Sequence, residues 1–228
     1  MSQIHFIGGE KGGVGKSLLA RVLAQHFIDR QQPFVAFDTD RSHGALLRYY
    51  ASYTSPLSLD DPTGLDRVIE AAADDPAQRV LVDLAAQSQA SLTRWLDDAG
   101  VLAVAAEMGV VLNYWHVMDA NRDSVDLLRR WQESPGAAMR LVLVLNEVRG
   151  EHFGQLGSSG LLEGAWAAGA RTMRLRKLPD ALIQKVDAGG ASFWAAQQAG
   201  SSDLGLLDRQ RMRLWLQRTQ TDIEALQP

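Results

Sequence analysis

Apolar residues fall along the chain in two ways, as short continuous runs and as longer stretches with helical spacing. The runs are Gln3-Ile4-His5-Phe6-Ile7-Gly8, Phe34-Val35-Ala36-Phe37-Asp38, Arg79-Val80-Leu81-Val82-Asp83, Val101-Leu102-Ala103-Val104-Ala105 and Arg140-Leu141-Val142-Leu143-Val144-Leu145. Their unbroken apolar character predicts parallel strands covered on both faces. Over residues 17–30, Leu19, Val22, Leu23, His26 and Phe27 recur at the i, i+3, i+4 spacing of a helix lying on a sheet. Further helices are expected over 64–73, 89–98, 119–132 and 161–168, with a glycine-rich surface loop over 150–160. A closing helix over about 204–226 puts Met212, Trp215, Leu216, Thr219, Ile223 and Leu226 on one face. This alternation predicts a doubly wound α/β fold, a mostly parallel sheet with helices on both faces. Ligands of such folds bind beyond the carboxyl ends of the strands. No repeat, low-complexity tract or long linker divides the chain, so residues 1–228 are read as one domain.

The first run and the first helix are joined by Gly8-Gly9-Glu10-Lys11-Gly12-Gly13-Val14-Gly15-Lys16-Ser17. Glycines let the backbone curl with its N–H groups pointing inward at phosphate oxygens. The helix that follows adds its positive N-terminal end. Lys16 is spaced to reach β- and γ-phosphates, and the Ser17 hydroxyl to ligate Mg²⁺. The strict pattern G-x-x-x-x-G-K-[ST] fails at Glu10, but Lys11 to Ser17 match KGGxGK[ST] in full. That segment resembles the deviant Walker A motif of the ParA/MinD family of positioning ATPases. Asp38-Thr39-Asp40 is similar to the DxD of the family's first switch, and Asp83 to its Walker B aspartate. Carboxylates at i and i+2 on a strand end point the same way, so Asp38 and Asp40 can face one centre.

The resemblance implies a P-loop NTPase that uses ATP and Mg²⁺. In it Gly12, Gly13, Val14, Gly15, Lys16 and Ser17 cradle the phosphates, Asp40 orients the attacking water, and Ser17, Asp38 and Asp83 hold magnesium and its water shell. It also implies that Lys11 reaches across a homodimer to the partner's ATP, so that ATP binding drives dimerisation and hydrolysis reverses it. Such a cation offsets the charge of a γ-phosphate sandwiched between two subunits. Asn146 falls where the family places an Asn against adenine, and Leu178-Pro179-Asp180 resembles its loop closing over the base. Residues 146–149, Asn-Glu-Val-Arg, lack the aspartate of the guanine-reading N-K-x-D motif, which favours ATP over GTP. The chain departs from the family after each carboxylate motif. Arg41-Ser42-His43-Gly44 follows the DxD, and Leu84-Ala85-Ala86-Gln87-Ser88 lacks the prolines usual after Walker B. The groups that pass nucleotide state to partners are therefore expected to be reshaped.

Composition narrows the alternatives. The 228 residues are 46% apolar and 22% charged, an ordinary globular composition. There is no cysteine, which excludes a disulfide scaffold, a thiolate zinc site, a cysteine nucleophile and an iron–sulfur carrier of the same fold. The five histidines show no H-E-x-x-H spacing, and no G-x-S-x-G is present. The six tryptophans read as core or dimer contacts. The longest apolar run, 101–112, is interrupted by Glu107 and falls short of the ~18 residues of a spanning helix. No secretory signal is visible at the start of the sequence, so a cytoplasmic location is expected, with nucleoid association if DNA is bound.

The net charge of −4 is unevenly spread: residues 171–218 hold nine basic and four acidic groups, a local +5. Arg171, Arg174, Arg176, Lys177, Arg209, Arg211 and Arg213 are candidates for a polyanion-binding face, with an ordinary solvated surface as the alternative. In ParA-like dimers such residues bind DNA non-specifically, which favours that use here. MinD-like relatives bind membranes through a C-terminal amphipathic helix, but Asp222 and Glu224 argue against this. The expectation is a dimerising switch ATPase that positions DNA or a protein complex with a separate activator protein. A role in conjugative transfer or mobilisation, or a MinD-like protein- or membrane-directed switch, stands beside it. A metabolic ligase of the same fold would generally lack the lysine that Lys11 supplies.

Overall fold

The computed structural model describes every residue except Arg41, Ala199, Ser201, Ser202, Gln227 and Pro228, together with the side chain of Pro62. The Arg41 position of the altered switch segment and the end of the expected domain thus lie outside the described residues. Strand β1 (Gln3–Gly8) leads into α1 (Lys16–Asp29), and β2 (Phe34–Asp38) into α2 (Ala45–Tyr49). Next come β3 (Thr54–Pro56), α3 (Pro62–Asp74), β4 (Arg79–Asp83), α4 (Gln89–Asp98) and α5 (Val101–Glu107). After β5 (Val111–Met118) the chain forms α6 (Arg122–Gln132), β6 (Arg140–Asn146), α7 (Gly154–Ser158) and α8 (Leu161–Ala167). It ends with β7 (Arg171–Leu175), α9 (Asp180–Ala188), α10 (Phe193–Gln197) and α11 (Leu206–Leu226).

The strands form one sheet in the order β3-β2-β4-β1-β5-β6-β7, and every pairing is parallel. Register does the functional work. It sets Asp38 opposite Asp83 on neighbouring strands and Ile7 opposite Asp83, just before the glycine loop leaves β1. Alternate strand residues feed two cores, as parallel strands covered on both faces require. Ile7, Leu81 and Trp115 pack with α1 and the C-terminal helices, whereas Phe6, Val82 and Tyr114 pack with Leu65, Trp95 and Trp131. The expected apolar face of α11, from Met212 to Leu226, is buried in the first of these cores.

Three expectations need correction. Residues 101–105 are a helix, not a strand. Gly100 ends α4 in the left-handed region (φ 59°) and restarts a helix in which Val101 and Ala105 are buried while Val104 faces solvent. A short apolar run does not by itself distinguish a strand from one face of a helix. The true fifth strand, β5, is almost wholly buried despite carrying Asn113 and His116. The helix expected from 119 begins at Arg122, leaving Asp119 at the carboxyl end of β5, and the 150–160 loop contains α7. β7 reads as basic in sequence because it is an edge strand, with Met173 and Leu175 turned inward and Arg171 and Arg174 exposed.

Candidate functional site

The glycine loop is held from beneath by two side chains. Gly15 stands in the left-handed region (φ 101°) as the residue before α1, and a Cβ there would run into the Asn146 amide. Asn146 is buried at the end of β6, donates from Nδ2 to the Val14 carbonyl at 2.8 Å, and accepts at Oδ1 from the Val148 N–H at 3.1 Å. At the other end, a Cβ on Gly8 would overlap the Tyr114 ring, which stacks on Trp131. Lys16 opens α1 and donates to the Lys11 carbonyl at 3.1 Å. Burial depresses its pKa, and the nearby charges of Asp83, Glu10 and Asp40 oppose that shift.

Residues 12–18, Asp40 and residues 84–86 line a cavity of about 270 Å³ over this loop. A larger one, about 490 Å³ among Trp131, Leu141, Leu161 and their neighbours, lies away from these lysines and carboxylates. Anion chemistry therefore belongs to the smaller cavity. Asn146 and Pro179 do not line it. Pro179 precedes α9 at the protein surface.

The three aspartates differ. Asp83 is 2% exposed and neither of its oxygens has a hydrogen-bond partner. Burial pushes its carboxyl up to about 7; the Ser17 hydroxyl and Lys16 pull the other way, and Asp38 and Asp40 add to the rise. A buried carboxylate without partners, beside a hydroxyl at a helix start, suits a hard cation. Among the described residues no three or more His, Cys, Asp or Glu gather to cage a metal. This donor set fits Mg²⁺, which commonly takes one or two carboxylates and completes its shell with phosphates and water. Asp38 is buried but occupied, accepting from the Asp40 N–H and the Leu47 N–H, each at 3.0 Å. It anchors the first turn of α2 and the backbone of Asp40. Asp40 itself lines the cavity, with Oδ1 turned back to the Ser42 and His43 N–H groups at 2.9 and 3.0 Å.

Three further residues, Thr39, Glu10 and Asp119, organise the site. Thr39 donates to the Asp83 carbonyl and accepts from the Ala85 N–H at 2.7 Å, tying the ends of β2 and β4 together. Glu10 accepts from the Gln89 N–H at 2.6 Å and so joins the glycine loop to the start of α4. Its place where the strict P-loop has glycine was the one signal available in the sequence. Asp119, wholly buried, lies 3.1 Å from Lys11 Nζ and 3.6 Å from Arg149 Nε. The sequence does not single it out, because β5 before it carries polar residues and does not read as an unbroken apolar strand.

The basic residues of the last quarter are largely neutralised within the chain. Arg174 pairs with Glu147, Arg176 with Asp222, Lys177 with Asp180 and Arg211 with Asp208. Arg209 donates to the Leu204 carbonyl at 2.6 Å. Arg171 lies on β7, and Arg213 is exposed on α11. Four of the six tryptophans are buried, whereas Trp166 and Trp194 are exposed. No helix among the described residues is long and apolar enough to cross a membrane.

Comparison with solved structures decides the architecture. The MinD cell division protein of Aquifex aeolicus superposes with a TM-score of 0.55 at 14% identity, covering 96% of each chain. A ParA family ATPase from Chlorobium tepidum gives 0.54 at 14% identity, covering 94% of this chain and 98% of that one. The chain has the MinD/ParA fold. No protein-family model matches the sequence. Curated relatives are more similar in sequence. Protein MobD of Acidithiobacillus ferrooxidans is 26% identical over 71% of this chain and 69% of its own length. A protein TraL of Escherichia coli is 31% identical over 48% of this chain, a match spanning 47% of TraL. Within a MinD/ParA fold the glycine loop, Asp40 and Asp83 occupy the carboxyl edge of the sheet, where this class of fold binds its ligands.

Proposed function

We propose that the protein is a Mg²⁺-dependent ATPase that dimerises on binding ATP and uses that switch to position a cargo. The observation that carries the reading is Asp83, a buried carboxylate that accepts no backbone hydrogen bond and lies beside the Ser17 hydroxyl and Lys16 under the glycine loop. Bound magnesium would neutralise charge on the β- and γ-phosphates, held by Ser17 with Asp83 behind it. The chain's own groups do the rest. The loop N–H groups and Lys16 position the phosphates, and Asp40 faces the cavity to orient water. Thr39 ties the ends of β2 and β4 together, and Glu10 ties the glycine loop to the start of α4. Asn146, buried and bonded through both ends of its amide to Val14 and Val148, supports the loop and does not face a base, whereas closure by the loop at Pro179 belongs to the same reading.

Among cargoes, similarity to MobD and TraL favours a conjugative transfer or mobilisation apparatus over chromosome or plasmid partition. Because four of the seven candidate DNA-binding cations are paired with acids of their own chain, we place the switch on a protein partner, including a separate activator. Sedimentation with Mg-ATP, Mg-ADP or no nucleotide tests the reading, with long duplex DNA added in a parallel series. A dimer with ATP alone is expected, persisting in Asp40→Ala and absent in Lys11→Ala. A monomer in every nucleotide state would overturn the proposal. ATP-dependent DNA binding would move the cargo to DNA.

A further inference from the structure

Lys11, the residue on which ATP-driven dimerisation rests in the reading above, does not point into the phosphate cavity. Its ammonium lies 3.1 and 3.4 Å from the two carboxylate oxygens of Asp119 and 4.0 Å from Asp123. Asp119 sits at the end of β5, on the strand next to β1, with its side chain wholly buried. It is also the acceptor for the Ser124 hydroxyl at 2.6 Å and for the Asn121 backbone and side-chain N–H groups at 3.2 and 3.1 Å. A second cation attends it. Arg149, from the turn after β6, holds its Nε 3.6 Å from Asp119, and its guanidinium extends toward Gly13 while half exposed.

A buried carboxylate that loses its only cation is left with an uncompensated charge, which is strongly unfavourable. Asp119 avoids that. If the ammonium of Lys11 leaves, Ser124, Asn121 and Arg149 remain. We propose that Asp119 is the positioning residue of Lys11, holding it in the resting protein, and that Arg149 takes over the carboxylate when Lys11 is released to a partner's nucleotide. Dimerisation is then a competition for Lys11 between Asp119 and phosphate, with Arg149 lowering the cost of release.

The two partners of this exchange act with opposite sign, which separates the device from simple structural damage. Asp119→Asn keeps an acceptor for Ser124 but gives up the charge, so Lys11 is freed and the ATP-bound dimer is expected to tighten about tenfold. Arg149→Gln leaves Asp119 dependent on Lys11, and the dimer is expected to weaken by a similar factor. Both are read as dimer dissociation constants with Mg²⁺ and a non-hydrolysable ATP analogue, alongside Lys11→Ala and urea midpoints. If both variants shift the constant in the same direction, or neither shifts it, the exchange is refuted. If Lys11→Ala dimerises like the wild type, the in-trans reading itself fails, whatever the other two show.

Discussion

His5 lies in the middle of β1, the strand that carries the glycine loop, and it is 1% exposed. Its Nδ1 accepts from Trp115 Nε1 at 3.2 Å, its Nε2 has no partner, and the ring packs near Phe27. Burial, aided by Arg79 and His26, pushes its pKa from 6.5 to about 3. Its folded value lies below its unfolded one, so the contribution to stability is complete above pH 6.5. It is lost as pH falls from there toward 3, because the unfolded chain takes up the proton first. Between pH 7 and pH 5 the linkage relation gives a loss of about 2 kcal/mol, and any folded value of about 4 or lower gives the same figure. His116 is pushed down to about 4 and acts in the same sense, while Asp83, pushed up to about 7, acts in the opposite one. A single acid titration of the wild type therefore does not isolate His5. His5→Asn does, because the Asn oxygen replaces Nδ1 as acceptor for Trp115 and does not titrate. Urea unfolding of both proteins at pH 7 and pH 5 should show the gap between them moving by about 2 kcal/mol in favour of the variant as pH falls. A gap that stays constant would refute the argument that burial keeps His5 neutral.

Two further outcomes follow from the site's construction. Asp83→Asn should raise the stability of the nucleotide-free protein at pH 8 by about 1–3 kcal/mol, since it removes a charge that burial disfavours more than Ser17 and Lys16 offset. Thermal stabilisation by Mg-ATP should disappear in the same variant, and a loss of apo stability would contradict this account of Asp83. Gly8→Ala should cost about 1–3 kcal/mol because the new methyl meets a Tyr114 ring already stacked on Trp131. A double-mutant cycle with Tyr114→Ala should recover at least about 1 kcal/mol of that loss, whereas simple additivity would locate the strain elsewhere.

The glycine loop of the candidate site is legible in the sequence because its chemistry is local. Glycines, a lysine and a hydroxyl at fixed spacing between a strand and a helix need no distant partner to be read. α4 was legible in full, and so was the buried face of α11, since a repeating apolar spacing over many residues specifies a helix. Short runs were less informative. The segment 101–105 reads as a strand and β5 does not, because β5 hides polar residues that only a sheet can satisfy, such as Asn113 bonded to Gln3.

What the sequence could not specify were relations between distant segments. Register across β2, β4 and β1 aligns Asp38 with Asp83, and it divides their roles, leaving one carboxylate occupied by backbone N–H groups and the other without partners. The same holds for the basic C-terminal quarter, where folding sets acids against Arg174, Arg176, Lys177, Lys185 and Arg211, pairings that a charge count does not show. Lys11 shows the division most plainly. The sequence determined that a lysine stands at that place in the loop, because backbone curvature and phosphate geometry fix the motif. Only the tertiary structure decided that it rests on Asp119, since that contact joins residues 108 positions apart and exists only when β5 lies beside β1.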